Sequence, residues 1–398
     1  MTSVVLFAVL AKLGVYLRTS DVKIVGLLGA LLVLVILLLI VVVNRYVRKT
    51  FGVKFKETKN VKILTFANHK GGVGKSTVAF FVGKQICNDH PNCNVLMIDC
   101  SRYNDQTRLC LRSMSDSVET LSAKRCTVDA VITDCLAPRV WYQFWKKSFD
   151  IKNFLFHAKD SVSEAPENLY VVTNCEQELS HVAGLNPEEI SRVCSAIRVS
   201  LAKSTTAKMD GNLRPWIVII DTDGGENHAL TRLAIGLSDS IIIPLSADMN
   251  ARDDALRLPI LFDFAQKLRD QNLSNATVDY AFFNRLESHK NQTWEGLPVT
   301  PFKDVQDIMH DVKKLFEKWV LKYPKLLNSM TKPFSECMSA VRTGGTDFRK
   351  AAQDPWRNDA GNAQNDIEAL TKRLMSLKPG EGTEGGRNLL NSFDASGQ

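Results

Sequence analysis

A lysine–glycine cluster near residue 70 carries the strongest chemical signal in this sequence. In Lys70-Gly-Gly-Val-Gly-Lys-Ser-Thr77, the residues Gly71, Gly72, Val73 and Gly74 precede Lys75, Ser76 and Thr77. Glycines let successive backbone N–H groups curl around an anion without Cβ clashes. A helix starting near Lys75 would add its positive dipole end. Lys75 then has the reach for the β- and γ-phosphates of a nucleotide, and the Ser76 hydroxyl can ligate Mg²⁺. The general pattern G-x-x-x-x-G-K-[ST] is met except at its first position, where His69 stands in place of glycine. A second signal lies far along the chain, where the apolar run 216–220 ends at Asp221. Such a strand delivers a carboxylate to its C-terminal end, suited to holding Mg²⁺ through water. Asp223, followed by Gly224 and Gly225, is a candidate for positioning a water molecule; a plain turn carboxylate is the alternative.

These residues need a scaffold, and the surrounding pattern supplies one. Residues 61–67 read as a buried strand ending at the glycines, 78–87 have helical spacing, and 95–98 form the next strand, ending at Asp99. Strand, glycine turn, helix and strand make a βαβ unit. Further strands are expected at 169–173, 216–220, 240–244 and 278–283, with clear helices at 188–202 and 254–269. The alternation predicts an α/β fold with a mostly parallel sheet flanked by helices, and the glycine–lysine loop after its first strand makes the expected fold a P-loop NTPase. Residues 362–377 have the spacing of one amphipathic helix, and the Gly-rich, polar stretch after Lys378 is expected to be disordered.

The loop with its leading lysine resembles the deviant Walker A motif of the ParA/MinD family, SIMIBI-class P-loop ATPases. The resemblance covers about residues 61–312. It implies ATP and Mg²⁺ as cofactors, with residues 70–77 around the phosphates and Ser76, Asp99 and Asp221 at the metal. It implies that Lys70 reaches across an ATP-dependent homodimer to the partner's nucleotide, and that Asn284 and Arg285 touch adenine. The family's D-x-D-P-Q is matched by Asp99-Cys-Ser-Arg-Tyr103, so Ser101 stands where the family has the carboxylate it assigns to hydrolysis. Asp105 lies nearby as a substitute. The expected catalytic set is Lys70, Lys75, Asp99 and Asp223. The expected function is an ATPase that positions or partitions a cargo, such as DNA, a plasmid, or conjugation or division machinery, with an unknown activating partner. A nucleotide-gated scaffold without efficient hydrolysis is the alternative. A tyrosine autokinase of the polysaccharide-export type is a lesser one, since no tyrosine follows Tyr323.

Composition bounds the rest. The chain has 398 residues, 45% hydrophobic and 23% charged, enough for a sizeable core, with a net charge of +7. Nine cysteines without a C-x-x-C pair read as reduced thiols. Residues 24–43 are apolar without a charge, long enough as a helix to span a bilayer. Arg45, Arg48, Lys49, Lys54, Lys56 and Lys59 follow it, which orients the remainder to the cytoplasm. The expected organisation is a short apolar segment at 1–23, a transmembrane helix at 24–43, a basic linker at 44–60, a ParA-like domain at 61–335, and a C-terminal helix and tail at 336–398. The expected location is the cytoplasmic membrane, single-pass. Non-specific DNA binding is open at Lys313, Lys314, Lys318, Lys322, Lys325 and Lys332, interleaved with Phe316, Trp319 and Tyr323; an amphipathic helix with its aromatic stripe in the core is the favoured alternative. The aromatic patches at 141–145 and 154–156 read as packing at the sheet edge, with a docking surface as the alternative.

Overall fold

The computed structural model describes residues 35, 36, 39, 60–111, 115–137, 149–174, 184–206, 214–223, 229–246, 251–284, 288–289, 300–301, 303–331, 338–342, 351–356 and 363–377. The chain divides into two compact units, Met1–Lys54 and Phe55–Gln398. In the first unit only Val35, Ile36 and Leu39 are described, as helical and exposed. The expectations for 1–23, for the rest of 24–43 and for the basic linker up to residue 59 lie outside the described residues. The single-pass membrane location is corrected: among the described residues, no helix is long and apolar enough to cross a membrane.

The second unit begins with β1 (Val61–Phe66), α1 (Lys75–Asp89) and β2 (Asn94–Cys100). Next come α2 (Asp105–Leu111), α3 (Ser115–Ala123), α4 (Val128–Leu136), β3 (Phe156–His157) and β4 (Leu169–Val172). Then follow α5 (Pro187–Thr206), β5 (Trp216–Thr222), α6 (Ala229–Leu237), β6 (Ser240–Ser246), α7 (Ala251–Asp270) and β7 (Thr277–Asn284). A two-stranded ladder of β8 (Ser288–His289) and β9 (Thr300–Pro301), α8 (Lys303–Lys322), β10 (Met338–Ala340) and α9 (Gln364–Ser376) complete it.

Eight strands form one sheet in the order β10-β7-β6-β1-β5-β2-β4-β3. All neighbours are parallel except β3, which pairs antiparallel with β4. The strands expected from apolar runs are all present; β1 and β4 end one residue early and the other four are longer than expected by two or three residues. Their side chains alternate between faces, as period two requires. Met97, Ile217 and Ile219 pack under α1, whereas Leu96, Ile98, Val218 and Ile220 pack with α4, α5 and α6. Both faces being covered explains why these strands are apolar throughout. In α1, a Cβ on Gly83 would lie 2.2 Å from the Met97 methyl, so a bare backbone lets the helix sit close on the sheet.

The aromatic stripe of α8 goes into the core. Phe316, Trp319 and Tyr323 are buried, and each packs edge-on to Phe262 of α7. These rings are therefore occupied by packing and offer no stacking surface for bases; Lys332 lies outside the described residues. Phe154 and Phe156 are likewise buried, and residues 141–145 lie outside the described residues.

The sheet continues past residue 335. β10 adds a parallel edge strand on β7, and α9 packs on α1. The Lys62 ammonium donates to the carbonyls of Leu374 (2.7 Å), Met375 (2.9 Å) and Leu377 (2.9 Å), which fastens the end of α9 to β1. Arg342 grips Asp366 with two side-chain hydrogen bonds of 2.7 and 2.8 Å.

Candidate nucleotide site

The register of the parallel strands gathers the candidate residues at one edge. Asp221 of β5 sits level with Phe66 at the end of β1 and with Asp99 of β2. The crevice at the carboxyl ends of such strands is where open α/β sheets bind ligands. The loop between β1 and α1 fills this edge. Its turn needs left-handed backbone at Gly72 (φ +74°) and Gly74 (φ +85°), conformations that glycine adopts without steric cost. A Cβ on Gly74 would also lie 2.2 Å from the Asn284 amide nitrogen. Around Gly71 and Gly72 there is open space. Val73 is buried, and α1 opens at Lys75, Ser76 and Thr77.

Asn68 anchors the loop's start, a role the sequence reading missed. Its side-chain amide donates to the Pro244 carbonyl (2.5 Å), and its carbonyl oxygen accepts from the Lys70 N–H (3.1 Å). The Lys75 ammonium donates to the Lys70 carbonyl at 2.9 Å. Burial lowers the Lys75 pKa from its ordinary value, opposed by the charges of Asp221, Asp223 and Asp105. Three carboxylates therefore act on this ammonium, although Asp105 is itself on the exposed rim.

Asp221 is fully buried, and neither of its oxygens accepts a hydrogen bond of ordinary geometry. Burial raises its pKa well above the usual carboxylate range, the Asp99 charge adds to this, and the neighbouring Ser76 hydroxyl and Lys75 ammonium pull the other way. A buried carboxylate whose neighbours are a hydroxyl and an ammonium, with no hydrogen bond of ordinary geometry, suits a hard divalent cation. Ser76 and Asp221 thus fit Mg²⁺. Asp99 fits it poorly. Its Oδ1 accepts from the Ser101 N–H (3.0 Å) and hydroxyl (2.6 Å), and its Oδ2 from the Thr107 N–H and hydroxyl (both 2.8 Å). Two donors from Ser101 in the following turn and two from Thr107 in α2 saturate this carboxylate, so it organises the β2–α2 connection. Thr107 was not singled out from sequence; nothing in its spacing from Asp99 marks it.

Asn284 ends β7 and is buried, and its amide donates to the Val73 carbonyl at 2.7 Å. It braces the glycine turn from behind. Arg285 lies outside the described residues. Asp223 follows β5 and is partly exposed. Lys70 is partly exposed at the loop's rim, with its ammonium 2.8 Å from Asp254 Oδ2 in the first turn of α7. The structure thus brings Lys70, Lys75, Ser76, Asp221 and Asp223 to one edge and adds Asn68, Asp105 and Asp254 to them.

No family profile and no curated protein sequence matches the chain. Solved structures do. Apo McdA from Cyanothece is similar over 79% of this chain and 100% of its own, at 14% identity and a TM-score of 0.53. The ATP complex of a Cyanothece McdA variant is similar over 80% of this chain and 98% of its own, at 15% identity and a TM-score of 0.54. A plasmid partition protein from Borrelia burgdorferi bound to AMPPNP follows at 17% identity over 79% of this chain and 96% of its own, with a TM-score of 0.46. The chain has the P-loop α/β fold of the McdA structures.

Proposed function

We propose that this chain binds ATP with Mg²⁺ at the loop of residues 68–77 and is a ParA-like ATPase that positions a cargo. The observation that carries this reading is the fully buried carboxylate of Asp221 beside the Ser76 hydroxyl and the Lys75 ammonium, below a turn with two left-handed glycines. In this reading the backbone N–H groups of 71–76 take phosphate oxygens, and Lys75 reaches the β- and γ-phosphates. Ser76 and Asp221 hold the metal, which when bound neutralises charge on the phosphates. Asp99 acts indirectly, by fixing the turn that carries Asp105. Asp105 and Asp223, the other carboxylates acting on Lys75, are the candidates for holding the attacking water. Asn284 supports the loop, and contact of Arg285 with adenine remains part of the reading. ATP-dependent homodimerisation through Lys70 belongs to the same proposal, with a single ATPase unit that includes α9. McdA bound to ATP has the same fold, which supports the reading.

A second reading is a nucleotide-gated scaffold with little turnover. It is favoured by Ser101, whose hydroxyl is engaged by Asp99 and offers no carboxylate to a water molecule. Phosphate release from Mg·ATP separates the two. The ATPase reading expects a rate for the full chain clearly above that of Lys75→Ala. Equal rates, with ATP binding intact in the wild type, would leave the scaffold.

A further inference from the structure

We infer that Asp254 is a positioning residue for the phosphate loop, holding the Lys70 ammonium on α7 until a polyphosphate draws it away. The inference rests on the nucleotide-binding reading and assigns a regulator to that site. Three described contacts hold Lys70. Its N–H donates to Asn68 Oδ1 (3.1 Å), its carbonyl accepts from Lys75 Nζ (2.9 Å), and its ammonium pairs with Asp254 Oδ2 (2.8 Å). Both lysines of the loop are thereby engaged within the chain.

The pair with Asp254 differs in kind from the other two contacts. It joins two charged side chains, whereas the other two engage the main-chain N–H and carbonyl of Lys70. The Lys70 side chain is 29% exposed and that of Asp254 11%, so solvent screens the attraction in part. A nucleotide's phosphate tail carries several negative charges and offers many acceptor oxygens, and an ammonium on a flexible stem can exchange one acidic partner for another. The Asp254 carboxylate also adds negative potential near the loop, which opposes an incoming polyanion. Its helix position stabilises it there, since acidic groups in a first turn meet the positive dipole end. Asp253 shares that turn and that dipole without an ion pair to Lys70 among the described contacts. It therefore separates the effect of the pair from the effect of a first-turn charge.

The test is equilibrium binding of Mg·ATPγS to the full-length chain, comparing wild type, Asp254→Asn, Asp254→Glu and Asp253→Asn. Asp254→Asn is expected to bind about fivefold tighter, the size of one partly screened pair. Asp253→Asn should match the wild type, and Asp254→Glu, which restores the charge, should lie close to it. Unchanged or weaker binding in Asp254→Asn overturns the inference, as does an equal gain in Asp253→Asn. A double-mutant cycle gives a second readout: in a Lys70→Gln background, Asp254→Asn should give no further gain, and an equal gain there also overturns the inference. A wild type that binds no nucleotide defeats the underlying reading as well. A wild type that binds, with Asp254→Asn no tighter, defeats this inference alone.

Discussion

Asp221 and Lys75 are opposite charges at one strand end, and burial works against both. For Asp221 the folded pKa lies above the unfolded one, so the folded state holds the proton more tightly. That contribution to stability is present in full below the ordinary value of 3.8 and is lost as pH rises through the folded value. Above that range and without metal, holding the carboxylate ionised is a net cost. Asp221→Asn should therefore raise metal-free stability by about 1–3 kcal/mol, the scale of relieving one poorly satisfied buried group. The same variant should lose the Mg²⁺ dependence of nucleotide binding. Denaturant titration and binding with and without Mg²⁺ check the two halves. Gly74→Ala would force a side chain onto left-handed backbone and into the Asn284 amide. We expect it to weaken nucleotide binding by at least about tenfold, a strain of 1–3 kcal/mol being typical of such positions; wild-type affinity in this variant would contradict the description of the loop. Lys75, Ser76 and Asp221 were legible because their residue types and spacing are tied to chemistry. The saturation of Asp99 was not, because Thr107 donates to it from the next helix. Asp254 was hidden for a simpler reason: only the fold brings α7 to the loop.

Among the elements, α9 shows what packing adds to a pattern. Its amphipathic spacing was readable, and its bounds agree to within two residues. Its attachment was not readable, because it depends on Lys62, a lysine in an otherwise apolar strand. Burial lowers the Lys62 pKa from 10.5 to about 8, against the pull of Asp279 and Asp239. Between these two values the unfolded chain binds more protons than the folded one, so this group makes stability rise with pH. The full effect is on the order of 3 kcal/mol, at 1.36 kcal/mol for each pH unit of difference. Unfolding free energies from pH 7.5 to 10.5 should show this increment in the wild type and its absence in Lys62→Met. Lys62→Met should also raise hydrogen exchange in α9, since three carbonyl acceptors lose their donor. The two edge strands β3 and β10 escaped the sequence reading. With two and three residues they are too short to show a period of two, and neighbours define them as strands.

At the scale of the whole molecule, the parallel sheet follows from strand after strand of apolar residues interleaved with helices, which is why the fold class was legible. The membrane location was inferred from residues 24–43, and no described helix supports it. What remains is a P-loop sheet whose carboxyl edge holds two lysines, a glycine turn and a buried carboxylate. The account turns on whether that edge takes a nucleotide. Isothermal titration of ATP into the full-length chain, with Mg²⁺ and with EDTA, measures this directly. We predict saturable binding that requires Mg²⁺ and weakens at least about 100-fold in Lys75→Ala, as expected for removing one partner of a buried charged contact. Wild-type affinity in Lys75→Ala, or no Mg²⁺-dependent binding at all, would contradict the account.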